Sequence, residues 1–267
     1  MISIIMPSLD PDVIKITSTL ESIFINHGDF ELILVLQSTP AEKIKTIQNL
    51  FSEEKKLRIV INDEVGISAA RNKGIKVSLG SWILLLDDDV YIKADTIKKL
   101  VGNLDKNVLM YYGNAKVYDT EEYYVKHFVR DKDLDIWNYN RVCSIALIIN
   151  KNVFETFGYF DERLGSGTYF GSSEESDLIL RVLLNEIRIV YMECYNVYHE
   201  RAMHSLPKVE RYARGSGALY SKFFDCGNYK LYLKFILDLV LRVIFLFTFR
   251  RKRYVFFKGF LSGLFKF

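Results

Sequence analysis

Cysteine is scarce in this chain, with Cys143, Cys194 and Cys226 the only three in 267 residues. They are far apart and form no Cys-x-x-Cys pair, which excludes a disulfide framework. Small buried or neutral thiols in a reducing compartment are expected. An excess of one charge is also lacking. The formal net charge is +3, little support for a nucleic-acid-binding face, which needs a marked basic excess. The most apolar stretch, Leu231 to Phe249, is interrupted by Lys234, Asp238 and Arg242, which argues against a simple membrane-spanning helix. The first residues, Met1-Ile2-Ser3-Ile4-Ile5-Met6-Pro7, enter a strand pattern directly. They show no basic start, long apolar core or small-residue cleavage site of a signal peptide.

What is present suits a folded protein: 49% hydrophobic and 26% charged residues, enough for one large domain or a domain with an appendage. Apolar runs at residues 2 to 6, 30 to 36, 57 to 61 and 82 to 86 read as strands. Helical spacing falls between them at 12 to 26, 40 to 51 and 67 to 77, and again at 95 to 104, where Asp95 stands at the cap position. This alternation predicts an α/β fold with a mostly parallel sheet flanked by helices. Further on, 108 to 117 and 144 to 149 read as strands, and 153 to 157 as a helical turn. Residues 174 to 184 read as a helix, 187 to 197 as an edge strand, and 207 to 224 as a helix weakened at Gly215 and Gly217.

The feature richest in chemistry is Asp87-Asp88-Asp89 at the exit of the run Trp82 to Leu86. Three adjacent carboxylates repel one another and call for positive charge. The carboxyl ends of strands in an open α/β sheet are where ligands bind, and a hard divalent cation carrying phosphates suits such oxygen ligands. A solvated turn after a strand gives the same local pattern. Ser3 to Leu9 and the segment around Asp63 to Gly80 reach the same sheet edge if the strands are parallel. There Gly66, Ala69, Ala70 and Gly74 let a backbone approach a ligand, and Arg71 can pair with a phosphate.

These segments resemble family 2 glycosyltransferases of the GT-A fold, a Rossmann-like sheet flanked by helices. The resemblance is carried by Ile4-Ile5-Met6-Pro7-Ser8, by Gly66-Ile67-Ser68-Ala69-Ala70-Arg71-Asn72-Lys73-Gly74 and by Gly80 to Asp89. Phe157-Gly158-Tyr159-Phe160-Asp161-Glu162 and Ser173-Glu174-Glu175-Ser176-Asp177-Leu178 extend it, so that it covers roughly residues 1 to 225. It implies inverting transfer of a sugar from a nucleotide-sugar donor, with Mg²⁺ or Mn²⁺ stabilising the diphosphate leaving group. Residues 1 to 105 would form the donor half and 106 to 225 the acceptor and catalytic half. Asp89, Asp87 and His199 would hold the metal, with His204 a weaker alternative to His199. Pro7, Ser8, Gln37, Asp63, Arg71, Asn72, Asp87, Asp88 and Arg211 would contact the donor, with Lys73 beside them and Asp88 the least important of the aspartates.

The resemblance places the catalytic base at Glu175, with Glu174 sharing the role or binding the acceptor. Helix capping explains the same two carboxylates without catalysis. One departure concerns the second strand, which ends Val35-Leu36-Gln37-Ser38-Thr39-Pro40 where family members often have paired aspartates. The base of the nucleotide is therefore open. The loop from Gly165 to Ser173 and the segment from Lys116 to Asn140 would cover the acceptor, a lipid-linked or growing surface glycan. Their Tyr118, Tyr123, Tyr124, Trp137, Tyr139 and Tyr169 suit sugar faces, although core packing explains aromatic residues equally.

Residues 226 to 267 read as an apolar and basic helical extension. Lys230, Lys234, Asp238 and Arg242 stand four apart and form one polar stripe, and Arg250 to Arg253 follow. This pattern fits a helix in a membrane interface meeting anionic head groups, which implies a peripheral protein on the cytoplasmic face. Packing on the protein's own surface, or on a second copy in a homo-oligomer, gives the same pattern. A non-catalytic scaffold and a nucleotidyltransferase are the competing functions.

Overall fold

The computed structural model describes all residues except 121, 126–127, 130, 202–204 and 247–250, and the side chains of 245–246. Its first part alternates β1 (Ile2–Leu9), α1 (Val13–Phe24), β2 (Phe30–Gln37), α2 (Ala41–Leu50), β3 (Leu57–Asn62), α3 (Ile67–Val77) and β4 (Trp82–Leu85). Local chemistry sets these boundaries. Asp12 caps α1 by accepting from the backbone N–H groups of Ile14 and Lys15. The strands are buried on both faces, which is why they read as continuous apolar runs rather than alternating ones.

Then come β5 (Val90–Ile92), α4 (Thr96–Gly102), β6 (Met110–Val117), β7 (Leu147–Asn150), α5 (Asn152–Phe157), α6 (Glu174–Leu184) and β8 (Ile189–His199). The chain continues through α7 (Leu206–Lys222), α8 (Tyr229–Leu246) and α9 (Arg251–Lys266). The eight strands form one sheet in the order β3-β2-β1-β4-β7-β6-β8-β5. From β3 to β4 all pairs are parallel, but β7 runs antiparallel to both β4 and β6, and β5 antiparallel to β8. The sheet is therefore mixed, a correction to the mostly parallel expectation. β8 is also not an edge: it lies between β6 and the short strand β5. Asp95 precedes α4 in a left-handed conformation (φ 63°) and caps nothing with its side chain.

The parallel register decides where chemistry can occur. Leu9 pairs with Gln37, and Gln37 with Asn62, while Ile5 pairs with Leu85, the last residue of β4. Ser8, Gln37 and the aspartate run thus leave the sheet at one edge.

The C-terminal helices pack on the rest of the chain. Gly215 and Gly217 do not break α7; they let neighbours approach. A Cβ on Gly217 would stand 2.0 Å from the Phe260 carbonyl oxygen, and one on Gly263 1.9 Å from that of Arg214. This is a backbone-close crossing of α7 and α9 that only glycine permits. On α8 the polar stripe points inward, opposite to the expected interfacial arrangement. Lys234 is buried and pairs with Asp238 at 3.2 Å, Asp238 accepts from Tyr220 Oη at 2.7 Å, and Arg242 donates to Ser216 Oγ. Leu233, Ile236, Leu237, Val240, Leu241 and Ile244 face outward, each between 41% and 54% exposed. Among the described residues no helix is long and apolar enough to cross a membrane.

Candidate active site

A cleft of about 470 Å³ opens at the sheet edge where β1, β2 and β4 end. Its walls include Pro7 and Ser8 from β1, Gln37 from β2, and Asp87, Asp88 and Asp89 from the turn after β4. His199 ends β8, Tyr124 lies ahead of it in the chain, and Lys208 and Tyr212 come from α7.

Asp87, Asp89 and His199 each present one ligand atom, all within 4.8 Å of one another. His199 Nε2 lies 3.1 Å from Asp89 Oδ1, and its Nδ1 is 2.6 Å from the Glu200 carbonyl oxygen, to which it must donate. That bond fixes the ring and directs Nε2 into the cluster. Burial disfavours the charged form of Asp89, but the hydrogen bond and charge of His199 outweigh it and hold the carboxyl below its ordinary range. Burial likewise opposes the imidazolium of His199, and Asp89 more than offsets it. Two carboxylates and an oriented imidazole fit a divalent cation of the Mg²⁺ to Mn²⁺ type, the nitrogen ligand suiting the softer end of that range. Asp88 is turned away. Ser8 Oγ donates to its carboxylate and Thr19 Oγ1 to its carbonyl, and burial raises its pKa.

A second cluster lies inward of this one. The Arg71 guanidinium is fully buried and donates from Nη1 to Glu174 Oε1 and from Nη2 to Asp87 Oδ1, both at 2.9 Å. Nη2 also reaches Ser144 Oγ at 2.9 Å, from the short 3-10 turn before β7, while Nε has no partner. Burial opposes its charge, but Asp87 and Glu174 overcome that and raise its pKa. Glu174 and Glu175 open α6, where the helix dipole favours carboxylates. Burial first, then the adjacent Glu174 charge, push the Glu175 pKa up to about 8. Asp177 is structural: it pairs with Arg181 at 2.9 Å and with Lys222 at 2.7 Å.

The structure sorts the expected site residues. Pro7, Ser8, Gln37, Asp87, Asp88, Asp89 and His199 share the cleft. Gln37 Oε1 accepts from the Gly66 N–H at 2.7 Å, leaving its NH₂ as the free end. Arg71 is not a donor contact, because burial gives it two carboxylates instead of phosphate. Asn72 is not one either: its side chain clamps Phe160, donating to the carbonyl and accepting from the N–H. Asp63 is exposed outside the cleft wall, and Arg211 lines a smaller recess beside it. Glu174 and Glu175 do not line the cleft. Tyr212 does, and their charges act on it. Tyr139 is core, and His204 lies outside the described residues. Lys208 and Tyr212 carried no signal of their own in the sequence. Only the helix start at Pro207 pointed to that turn, where the Lys208 N–H donates to Ser205 Oγ.

Residues 3–162 match the model of glycosyl transferase family 2. A PGL/p-HBAD biosynthesis glycosyltransferase of Mycobacterium bovis is 30% identical over 172 residues, covering 61% of this chain and 64% of that protein. An uncharacterized glycosyltransferase of Haemophilus influenzae is 28% identical over 137 residues, covering 51% of this chain and 55% of that protein. The aligned part is thus somewhat over half the length of either relative. The mannosyltransferase PcManGT of Pyrobaculum calidifontis, solved with GDP-Man and Mn²⁺, shares the fold. Its TM-score is 0.65 at 11% identity, over 99% of this chain and 87% of that one. TarS 1–349 of S. aureus gives 0.64 at 16% identity, over 84% of this chain and 65% of that one.

Proposed function

The chain belongs to glycosyl transferase family 2, and from that premise we propose that it transfers one sugar, with inversion, from a nucleotide-sugar donor to a hydroxyl of a lipid-linked or growing glycan. The observation that carries this reading is the pairing of two acidic clusters through one buried arginine. Asp87 and Asp89 face the cleft with His199, and Glu174 and Glu175 stand on the other side of Arg71. Residues 1 to 105 then serve the donor and 106 to 225 the acceptor and the proton transfer.

Asp87, Asp89 and His199 would hold Mg²⁺ or Mn²⁺, which when bound supplies positive charge to the diphosphate leaving group. The protein's own groups do the rest. Pro7 and Ser8 shape the strand end that receives the nucleotide, and the free NH₂ of Gln37 can donate to a base edge. Folds of this kind accommodate UDP-GlcNAc in TarS and GDP-Man in PcManGT, and Gln37 can serve either base. Glu174 is held by Arg71 and acts as a positioning group. Glu175, whose pKa is about 8, takes the proton of the acceptor hydroxyl as that oxygen attacks the anomeric carbon and the nucleotide diphosphate departs.

The outward face of α8 supports attachment to a lipid surface. Its charges are spent on α7 and α9, and its large apolar side chains are presented outside, the reverse of a solvated surface helix. Arg251, Lys252 and Arg253 at the start of α9 add the basic charge that anionic head groups attract. This places the protein at the cytoplasmic face of a membrane as a peripheral or monotopic enzyme.

The test is nucleotide release by the purified chain across a panel of nucleotide sugars, with Mn²⁺ or Mg²⁺ and after chelation. Release that does not depend on the metal, or that persists in Asp89→Ala, overturns the reading. Flotation with anionic liposomes, lost in Leu237→Glu/Leu241→Glu, tests the membrane face; unchanged flotation refutes it.

A further inference from the structure

Beside the main cleft is a recess of about 220 Å³, walled by Ser166, Gly167 and Gly171 of the loop before α6 and by Lys208, Arg211 and Tyr212 of α7. Four of these residues, Ser166, Gly167, Lys208 and Tyr212, also line the cleft, so the two spaces communicate. No carboxylate lines the recess. Arg71, Arg163, Arg181, Arg188, Arg201 and Arg214 each face a carboxylate. Among the described residues Arg211 has none, and the Lys208 ammonium has only the Tyr212 ring, 5.5 Å away. Two cations without counter-charge, in a concave wall with glycine backbone, focus a positive potential. Guanidinium is the side chain best suited to answer it with a bidentate phosphate contact.

The main cleft has the opposite polarity at its far end, where Asp87, Asp88 and Asp89 cluster. A donor diphosphate placed there needs a metal between itself and the carboxylates. The recess needs none, and so suits an anion that arrives without a cation. Its position along α7 narrows the choice. Lys208 and Arg211 lie in the first turns of that helix, at the cleft, while Tyr220 near its end bonds to Asp238 on α8. The sequence of cleft, recess, α7 and apolar α8 face matches a molecule with a sugar-accepting end, a phosphate and a lipid.

We propose that this recess binds the phosphate of the acceptor, with Arg211 and Lys208 as its partners, so that the acceptor is a lipid phosphate and not a neutral glycan. The proposal rests on the glycosyl-transfer reading above and names its second substrate class.

Calorimetry on the purified full chain in detergent tests it, with geranyl phosphate, geraniol, inorganic phosphate, and GDP or UDP with Mn²⁺ as probes. Geranyl phosphate should bind, and Arg211→Ala should weaken it at least tenfold, with partial recovery in Arg211→Lys. Nucleoside diphosphate affinity should change less than twofold in the same variant. Arg211 is exposed, so its removal should leave the melting temperature unchanged. Unchanged geranyl phosphate affinity in Arg211→Ala overturns the proposal. Equal weakening of nucleoside diphosphates also overturns it, by assigning Arg211 to the donor. Inorganic phosphate binding as tightly as geranyl phosphate identifies free phosphate as the ligand and refutes the acceptor assignment. Loss of nucleoside diphosphate binding by the unaltered chain with Mn²⁺ counts against the glycosyl-transfer reading alone, because the phosphate probes report separately.

Discussion

On the cleft side of Arg71 the carboxylates are open, with the side chains of Asp87 and Asp89 exposed by 30% and 43%; on its other side Glu174 is 9% exposed and tied to the guanidinium. The same chemical group thus serves two purposes in one site. Open carboxylates keep their charge by facing water and His199, and remain available to a cation. The enclosed pair cannot both stay charged. Glu174 keeps its charge through Arg71, and Glu175 holds its proton to a pKa of about 8. The difference shows how one fold obtains a metal site and a base from carboxylates alone: exposure makes the first and burial the second.

Arg71 belongs to both sides, and removing it should have the largest effect. Arg71→Ala leaves Asp87 and Glu174 without their shared partner and a cavity between them. Breaking a buried pair by removing one member costs about 3–5 kcal/mol. Denaturant unfolding should show a loss of that order, with activity abolished. An Arg71→Ala protein as stable as the parent would mean that the two sides are independent.

Next come the single-side variants. Glu175→Gln should lower kcat by about 10²–10⁴-fold, the usual contribution of a positioned base, while nucleotide–Mn²⁺ binding is kept. Asp89→Ala should do the reverse, weakening metal-dependent nucleotide binding with little change in stability, because its side chain is largely exposed. Loss of metal dependence in Glu175→Gln, or its retention in Asp89→Ala, would exchange the two assignments.

Much of this was legible in the residues. The runs that became β1 to β4 were dense enough to mark buried strands, and the aspartates at the β4 exit marked the edge. The Glu174-Glu175 pair marked the other side. The bridge was not legible, because Arg71 and Glu174 are 103 positions apart and no local pattern joins them. β5 has only three residues, too few for a period to appear. The polar stripe of α8 was evident from its four-residue spacing. Its inward direction was not, since periodicity divides a helix into faces without saying which face meets the protein. Gly215 and Gly217 were misjudged for a related reason: propensity counts their cost within α7 and cannot see α9 resting on them.

The pH dependence should separate the two sides more finely. The folded Glu175 pKa, about 8, lies above the unfolded value near 4.5. Its contribution to stability is therefore fully present below pH 4.5 and is lost as pH rises toward 8. Activity should follow the opposite course, since the base works only when deprotonated, so kcat/KM should rise with pH through a limb near 8. Over one window the enzyme becomes faster and less stable, and Glu175→Gln should flatten both trends. A stability profile equally steep in Glu175→Gln would place the titrating group elsewhere.

The smallest effect is expected at Asp88, although it lies between two residues on which catalysis depends. Its carboxylate is engaged by Ser8 and its carbonyl by Thr19, and it takes no part in the Asp87, Asp89 and His199 cluster. Asp88→Ala removes one side-chain hydrogen bond and returns Ser8 Oγ to the cleft, where water or the donor can take it. A bond of that kind contributes about 0.5–1.5 kcal/mol net, so kcat/KM should fall by no more than about tenfold, with metal dependence unchanged. The open side is distinguished by where its carboxylates point, not by how many there are. A loss at Asp88 as large as that at Asp89 would mean that the density of charge, and not its direction, makes the site.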